Sequence, residues 1–144
     1  MVALHPKHVL VPTDFSEESA QVVENWRNLV DNPGQLTVLH VSPQATPAES
    51  DLVIGWNLES DEKRRERLVE MLHKEFPDKS FSDVHFEVLF GSPATEIAKY
   101  AEEHDTDLIV LPSHGRTGLA RLMIGSVAER VVRLAHCPVL VIRE

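Results

Sequence analysis

The run Pro112-Ser113-His114-Gly115-Arg116-Thr117-Gly118, followed by Gly125-Ser126, is the part of this sequence best suited to chemistry. It lies between the apolar residues 108–111 and a helical pattern that begins at Ser126. A strand that opens into a glycine-bearing loop and then a helix start presents backbone N–H groups to phosphate. Glycine lacks a Cβ, so a ligand can come close to the main chain. The chemistry implied is binding of a phosphorylated small molecule. Arg116 and Arg121 stand nearby in sequence and can offset phosphate charge. Neither a Walker lysine, nor paired catalytic carboxylates, nor a metal-ligating cluster accompanies the loop, so hydrolysis is expected to be slow at most.

A second loop carries complementary groups. The first apolar run empties into Pro12-Thr13-Asp14-Phe15-Ser16. In open α/β sheets, ligands sit beyond the carboxyl ends of strands, where the strand order reverses. If the strands before Pro12 and Pro112 are neighbours there, one loop brings a carboxylate suited to ribose hydroxyls or a metal, and the other brings amides suited to phosphate. Asp14 reads equally well as a turn residue ahead of a Ser16 cap. His114 has no evident partner and reads as a hydrogen-bonding loop residue rather than a general base. His40 reads as a satisfied residue at the core's edge, Cys137 as a small buried apolar group, and Trp26 as core.

The elements that must position these loops alternate between strand and helix. Strands are expected at residues 8–11, 36–41, 84–90, 108–111 and 139–142, all largely apolar. Ser16 caps a first helix with Glu17 and Glu18 in its first turn and Ala20, Val23, Trp26 or Arg27, and Val30 on its inner face. Residues 42–59 are proline-bearing and aperiodic, and are expected to border the crevice. A charged start at 61–67 opens a second helix carrying Leu68, Met71 or Leu72, and Phe76, which Pro77 ends. Gly91-Ser92-Pro93 starts a third helix, with Ser92 as cap and Ala94, Ile97, Ala98 and Ala101 inward. Ser126-Val127-Ala128-Glu129 fits a capping box opening a last helix, with Val127, Val131, Leu134 and Ala135 as its buried stripe. Short apolar strands alternating with helices imply α/β architecture, a parallel sheet covered on both faces.

Bulk properties bound the partners. The 144 residues make one domain, 1–144, without an internal repeat. A net charge of −9, from 23 acids against 14 bases, argues against a general nucleic-acid binder. Any polyphosphate site must then be locally favourable within a repelling field. The single Cys137 cannot pair internally, and no apolar stretch is long enough to span a bilayer, so the chain reads as soluble, cytoplasmic and not inserted in membranes.

Taken together, these segments resemble the universal stress protein family over essentially the whole chain. The resemblance is carried by Val9-Leu10-Val11-Pro12-Thr13-Asp14-Phe15-Ser16, Leu39-His40-Val41, Gly91-Ser92-Pro93, the run from Leu108 to Gly118, Ile124-Gly125-Ser126-Val127-Ala128-Glu129-Arg130-Val131, and His136-Cys137-Pro138-Val139-Leu140-Val141-Ile142. It implies a doubly wound five-stranded sheet in the order 3-2-1-4-5 and a homodimer. It also implies a small stress-response regulator that binds ATP, with Mg2+ as a companion ion, or AMP or ADP. By the same resemblance, Pro12, Thr13 and Asp14 would contact the nucleoside and the Val41 backbone would meet the adenine edge. Ser113, His114, Gly115, Gly125, Ser126 and Val127 would line the phosphate path, with Arg116 nearby. Gly115, Gly125 and Ser126 match the second half of the family's Gly-x2-Gly-x9-Gly-Ser/Thr pattern, whereas Pro112 stands at the first glycine and removes an N–H donor. The alternative is a homodimeric interaction module that no longer binds nucleotide. In the implied strand order Val139–Ile142 is an apolar edge strand, and the dimer is expected to form through it. A phospho-acceptor receiver domain has a similar element count, but a lone Asp14 after strand one and Phe90-Gly91 after strand three fit it poorly.

Overall fold

The computed structural model describes residues 5–44, 60–113 and 124–143. Five strands, β1 (Val9–Pro12), β2 (Leu36–Ser42), β3 (His85–Phe90), β4 (Leu108–Pro112) and β5 (Val139–Ile142), form one sheet in the order β3-β2-β1-β4-β5. All its pairings are parallel. The register places Val9 beside both Leu36 and Leu108, so β1 sits at the centre. The Asp107 carboxylate accepts from the backbone N–H groups of Lys7 (2.8 Å) and His8 (3.0 Å) and fixes the entry to β1 against that of β4.

Four described helices cover both faces: α1 (Glu17–Leu29), α2 (Asp61–Glu75), α3 (Pro93–Glu103) and α4 (Ser126–Leu134). Side chains alternate along each strand. Val9, Val11, Val38, Val88 and Val110 therefore pack on one face with Val22 and Val23 of α1 and Leu68 and Leu72 of α2. Leu10, Leu39, Val41, Ile109 and Leu111 point the other way, onto Ala94, Ile97 and Ala101 of α3 and Ala128 and Val131 of α4. The expected doubly wound sheet with helices on both faces is the observed one. Strand boundaries differ from the sequence reading by a residue, as for β1, which runs to Pro12 rather than starting at His8.

Local chemistry explains where the helices begin. Ser16 caps α1, its Oγ accepting from Ser19 N at 3.2 Å. Ser60 caps α2 in the same way. In α2, Leu72 is fully buried while Met71 is exposed, which settles the choice the spacing left open. Arg64 of α2 donates to Ser42 Oγ (2.7 Å) and lies 5.1 Å from the Phe90 ring centroid, holding the start of the helix over the ends of β2 and β3. Gly91 turns the chain from β3 into α3 at φ +144°, a conformation that glycine alone adopts readily. A Cβ there would stand 3.0 Å from Glu96 Cγ.

The last helix departs from the expectation. Gly125, not Ser126, occupies the N-cap and makes no side-chain cap bond. The capping box read from Ser126 to Glu129 is therefore not formed, since Ser126 is already the first helical residue. The buried stripe is Ala128 and Val131 with half-buried Ala135 (Val127 is 39 % and Leu134 42 % exposed). Two periodic stripes were available, and the small Ala128 faces inward because α4 packs closely against the alanine-rich face of α3.

Candidate functional site

β1 and β4 are adjacent, and their following helices leave to opposite faces of the sheet. The sheet's order reverses between them, which opens a crevice at their carboxyl ends. A cleft of about 280 Å³ lies there. Its lining includes every described residue that the sequence singled out: Pro12, Thr13, Asp14, Val41, Pro112, Ser113, Gly125, Ser126 and Val127. His114, Gly115 and Arg116, like Arg121 and most of the 42–59 segment with Trp56, lie outside the described residues. Sequence reasoning missed Leu39, Ile97, Leu111 and Ala128, which form the apolar wall, and Pro93 and the buried Ser19, which also line the cleft. The apolar ones were legible only as core, because the cleft is the upper end of the same face that packs α3 and α4.

At one end stands a compact polar cluster. Thr13 N donates to Leu39 O at 2.8 Å, and His40 Nδ1 donates to Thr13 O at 2.8 Å, so the loop is fastened to β2 from both sides of one residue. His40 is thus the satisfied core-edge histidine expected, its ring 4.6 Å from that of Phe15. Asp14 Oδ1 accepts from Ser16 N (3.0 Å) and Ser19 Oγ (3.1 Å). The turn reading of Asp14 is realised, and the residue lines the cleft as well. Between these anchors Phe15 adopts φ +65°, a left-handed conformation costly for a bulky side chain. Its N–H is held by Thr13 Oγ1 at 3.1 Å. Strain of this kind persists only where neighbouring contacts over-determine it, and it collects at ligand-binding loops.

At the other end, not all the amides expected for phosphate are available. Ser113 N donates to Ile142 O (2.8 Å), extending the β4–β5 ladder, and Gly125 N donates to Ser113 O. Pro112 has no N–H. These three positions give the cleft shape rather than donors. The N–H groups of Ser126, Val127 and Ala128 open α4, where a helix has no carbonyl partner of its own to offer, and the glycine N-cap supplies no side-chain acceptor. Gly125 has an ordinary φ of −63°, so what glycine supplies here is the missing Cβ beside the cleft, not an unusual backbone. Helix α3 also begins at the cleft without a side-chain cap, its N-cap Ser92 making no such bond. Two helix starts with positive partial charge thus border one crevice.

Among the described residues no group of three or more His, Cys, Asp or Glu is placed to hold a metal. No described helix is long and apolar enough to cross a membrane. Cys137 is half-buried rather than buried, and burial, reinforced by the Asp107 charge, pushes its thiol pKa up, away from nucleophilic reactivity.

Comparison with known proteins agrees with this architecture. The model of the universal stress protein family matches residues 5–143. Universal stress protein MJ0531 of Methanocaldococcus jannaschii is 37 % identical over 96 % of this chain and 82 % of its own. The structure of protein MJ0577, from the same organism, superposes with a TM-score of 0.70 at 30 % identity, covering 98 % of both chains. Two more distant structures share the fold: a universal stress protein in complex with cAMP (TM-score 0.64, 18 % identity, 96 % of this chain and 98 % of that one) and an Arabidopsis thaliana family member with AMP bound (0.59, 20 %, 96 % and 93 %). With its central strand, reversed order and crevice, and with a family match over nearly its full length, the chain belongs to the universal stress protein family.

Proposed function

We propose that this protein binds ATP or another adenine nucleotide in the cleft at the carboxyl ends of β1 and β4, and acts as a nucleotide-dependent regulator in a cytoplasmic stress response. One observation carries this reading: the Thr13-Asp14 loop and the uncapped first turn of α4 line the same cleft. Pro12, Thr13 and Asp14 face the nucleoside, the Val41 backbone meets the adenine edge, and the apolar wall of Leu39, Ile97 and Leu111 takes the flat of the base. The amides of Ser126 and Val127 take the phosphates, which also run along Ser113 and the 114–116 stretch. Magnesium arrives with the triphosphate, and AMP or ADP take the same nucleoside end with fewer phosphates beyond it. Family members that hold AMP or cAMP support the ligand class. The test is calorimetry with Mg–ATP on protein freed of co-purified ligand. Micromolar binding is expected, and an absence of heat from folded protein overturns the reading.

A second reading, a homodimeric module without nucleotide, is favoured by the donor missing at Pro112 and by the Ser113 and Gly125 amides already bonded to carbonyls. Both readings include a homodimer through β5. It is supported by the position of β5 at the sheet edge and by the exposure of Leu140 in it and of Val132 and Leu134 on α4.

A further inference from the structure

We propose that Ser19 is a positioning residue whose hydroxyl presets the Asp14 carboxylate to receive the 2′-hydroxyl of the nucleotide's ribose. The inference rests on the nucleotide reading of the cleft. Ser19 occupies the inner face of α1 with Val22 and Val23 and is 1 % exposed. An alanine would fill that helical position at lower cost, having the higher helix propensity and no hydroxyl to bury. The buried hydroxyl is instead the hub of the loop. Its oxygen lies 2.9 Å from Thr13 Oγ1, 3.1 Å from Ser16 Oγ, 3.1 Å from Asp14 Oδ1 and 3.0 Å from Ser16 O.

Proton counting gives these contacts a direction. Thr13 Oγ1 already accepts from Phe15 N, and Ser16 Oγ accepts from Ser19 N. The Asp14 carboxylate and the Ser16 carbonyl can only accept, so the single Ser19 proton goes to one of them and the Thr13 and Ser16 hydroxyls donate to Ser19 Oγ. A charge-assisted bond to the carboxylate is the stronger choice. Together with Ser16 N, it holds Oδ1 of the cleft-lining Asp14 with two donors. The left-handed Phe15 keeps the loop in the shape this needs. A serine that merely bonded back to the preceding turn would contact Ser16 O alone.

Ribose recognition is the readout a purely structural role would not move. Mg–ATP and Mg–2′-deoxyATP are titrated by calorimetry into ligand-free wild type, Ser19→Ala and Ser19→Cys, the last filling the space with a weak donor. Wild type is expected to favour ATP by about tenfold or more, the scale of one hydrogen bond to a charged group. Both variants should fall below about threefold, by weakening ATP while leaving 2′-deoxyATP within about twofold of wild type. Retention of the preference in either variant overturns the inference. A wild type indifferent to the 2′-hydroxyl also overturns it, while leaving the nucleotide reading intact. Failure of both nucleotides to bind wild type overturns the two together.

Discussion

The backbone amide of Gly125 donates to the carbonyl of Ser113, tying the end of β4 to the start of α4 at the wall of the cleft. The bond uses a donor that could have met a phosphate, and in exchange it places the next three amides, of Ser126, Val127 and Ala128, at the mouth of the crevice. In the proposed site, these three amides are the donors that the described start of α4 offers to a phosphate.

Filling the space beside that turn should close the site without unfolding the protein. Gly125 has φ −63°, which valine adopts without strain, although as an N-cap it is less favourable by about 1 kcal/mol. Gly125→Val is expected to keep the far-ultraviolet circular dichroism of wild type and to weaken Mg–ATP binding by more than about tenfold in calorimetry. Unchanged affinity would place the ligand elsewhere.

Gly91 is required for its backbone. At φ +144° a Cβ is strained whatever room it has, and here it also meets Glu96 Cγ at 3.0 Å. Gly91→Ala should lower unfolding free energy by about 1–3 kcal/mol, read from urea denaturation. A midpoint equal to wild type would show that the turn relaxes freely.

Glu75 makes the stability of the fold depend on pH. Its Oε2 is buried without a hydrogen-bond partner among the described residues, and burial, followed by the charges of Asp14 and Glu24, holds its pKa above the ordinary glutamate value. The folded chain therefore binds this proton more tightly than the unfolded chain. Its contribution is most favourable in acid, is lost as pH rises through the raised folded-state pKa, and is a penalty above it. Glu75→Gln should raise the melting temperature at pH 7, with an advantage that shrinks as the pH approaches the unfolded-state value. A variant less stable than wild type at pH 7 would contradict this.

The dimer is tested at the sheet edge. Leu140 in β5 is 41 % exposed, and a charge there opposes edge pairing. Light scattering should find wild type dimeric and Leu140→Lys monomeric. A dimeric variant would move the interface off this strand.

The architecture was legible because each strand is a short apolar run and each crossover begins with a marked turn: Ser16, Gly91-Ser92-Pro93 and Gly125-Ser126. Edges slipped by a residue where Pro12 and Pro112 prolong their strands. The expected stripe of α4, Val127, Val131, Leu134 and Ala135, holds at Val131 and Ala135 but yields Val127 and Leu134 to Ala128, because both patterns satisfy a helical repeat. Only the proximity of α3 decides between them. The cleft's polar corners were legible as residue types. Ser19 was not, since a serine on a helix stripe carries no signal until the loop in front of it folds back. Which amides stay available was equally hidden, because it depends on Ile142 and Ser113 meeting across the sheet.

The most direct test of the account follows those amides one by one. In 15N-resolved spectra of ligand-free protein titrated with Mg–ATP, the N–H signals of Ser126, Val127 and Ala128 should move together and saturate, while those of Ser113 and Gly125, already bonded to carbonyls, should change least within the cleft. Silence at Ser126 to Ala128 with binding detected elsewhere, or with none at all, would contradict it.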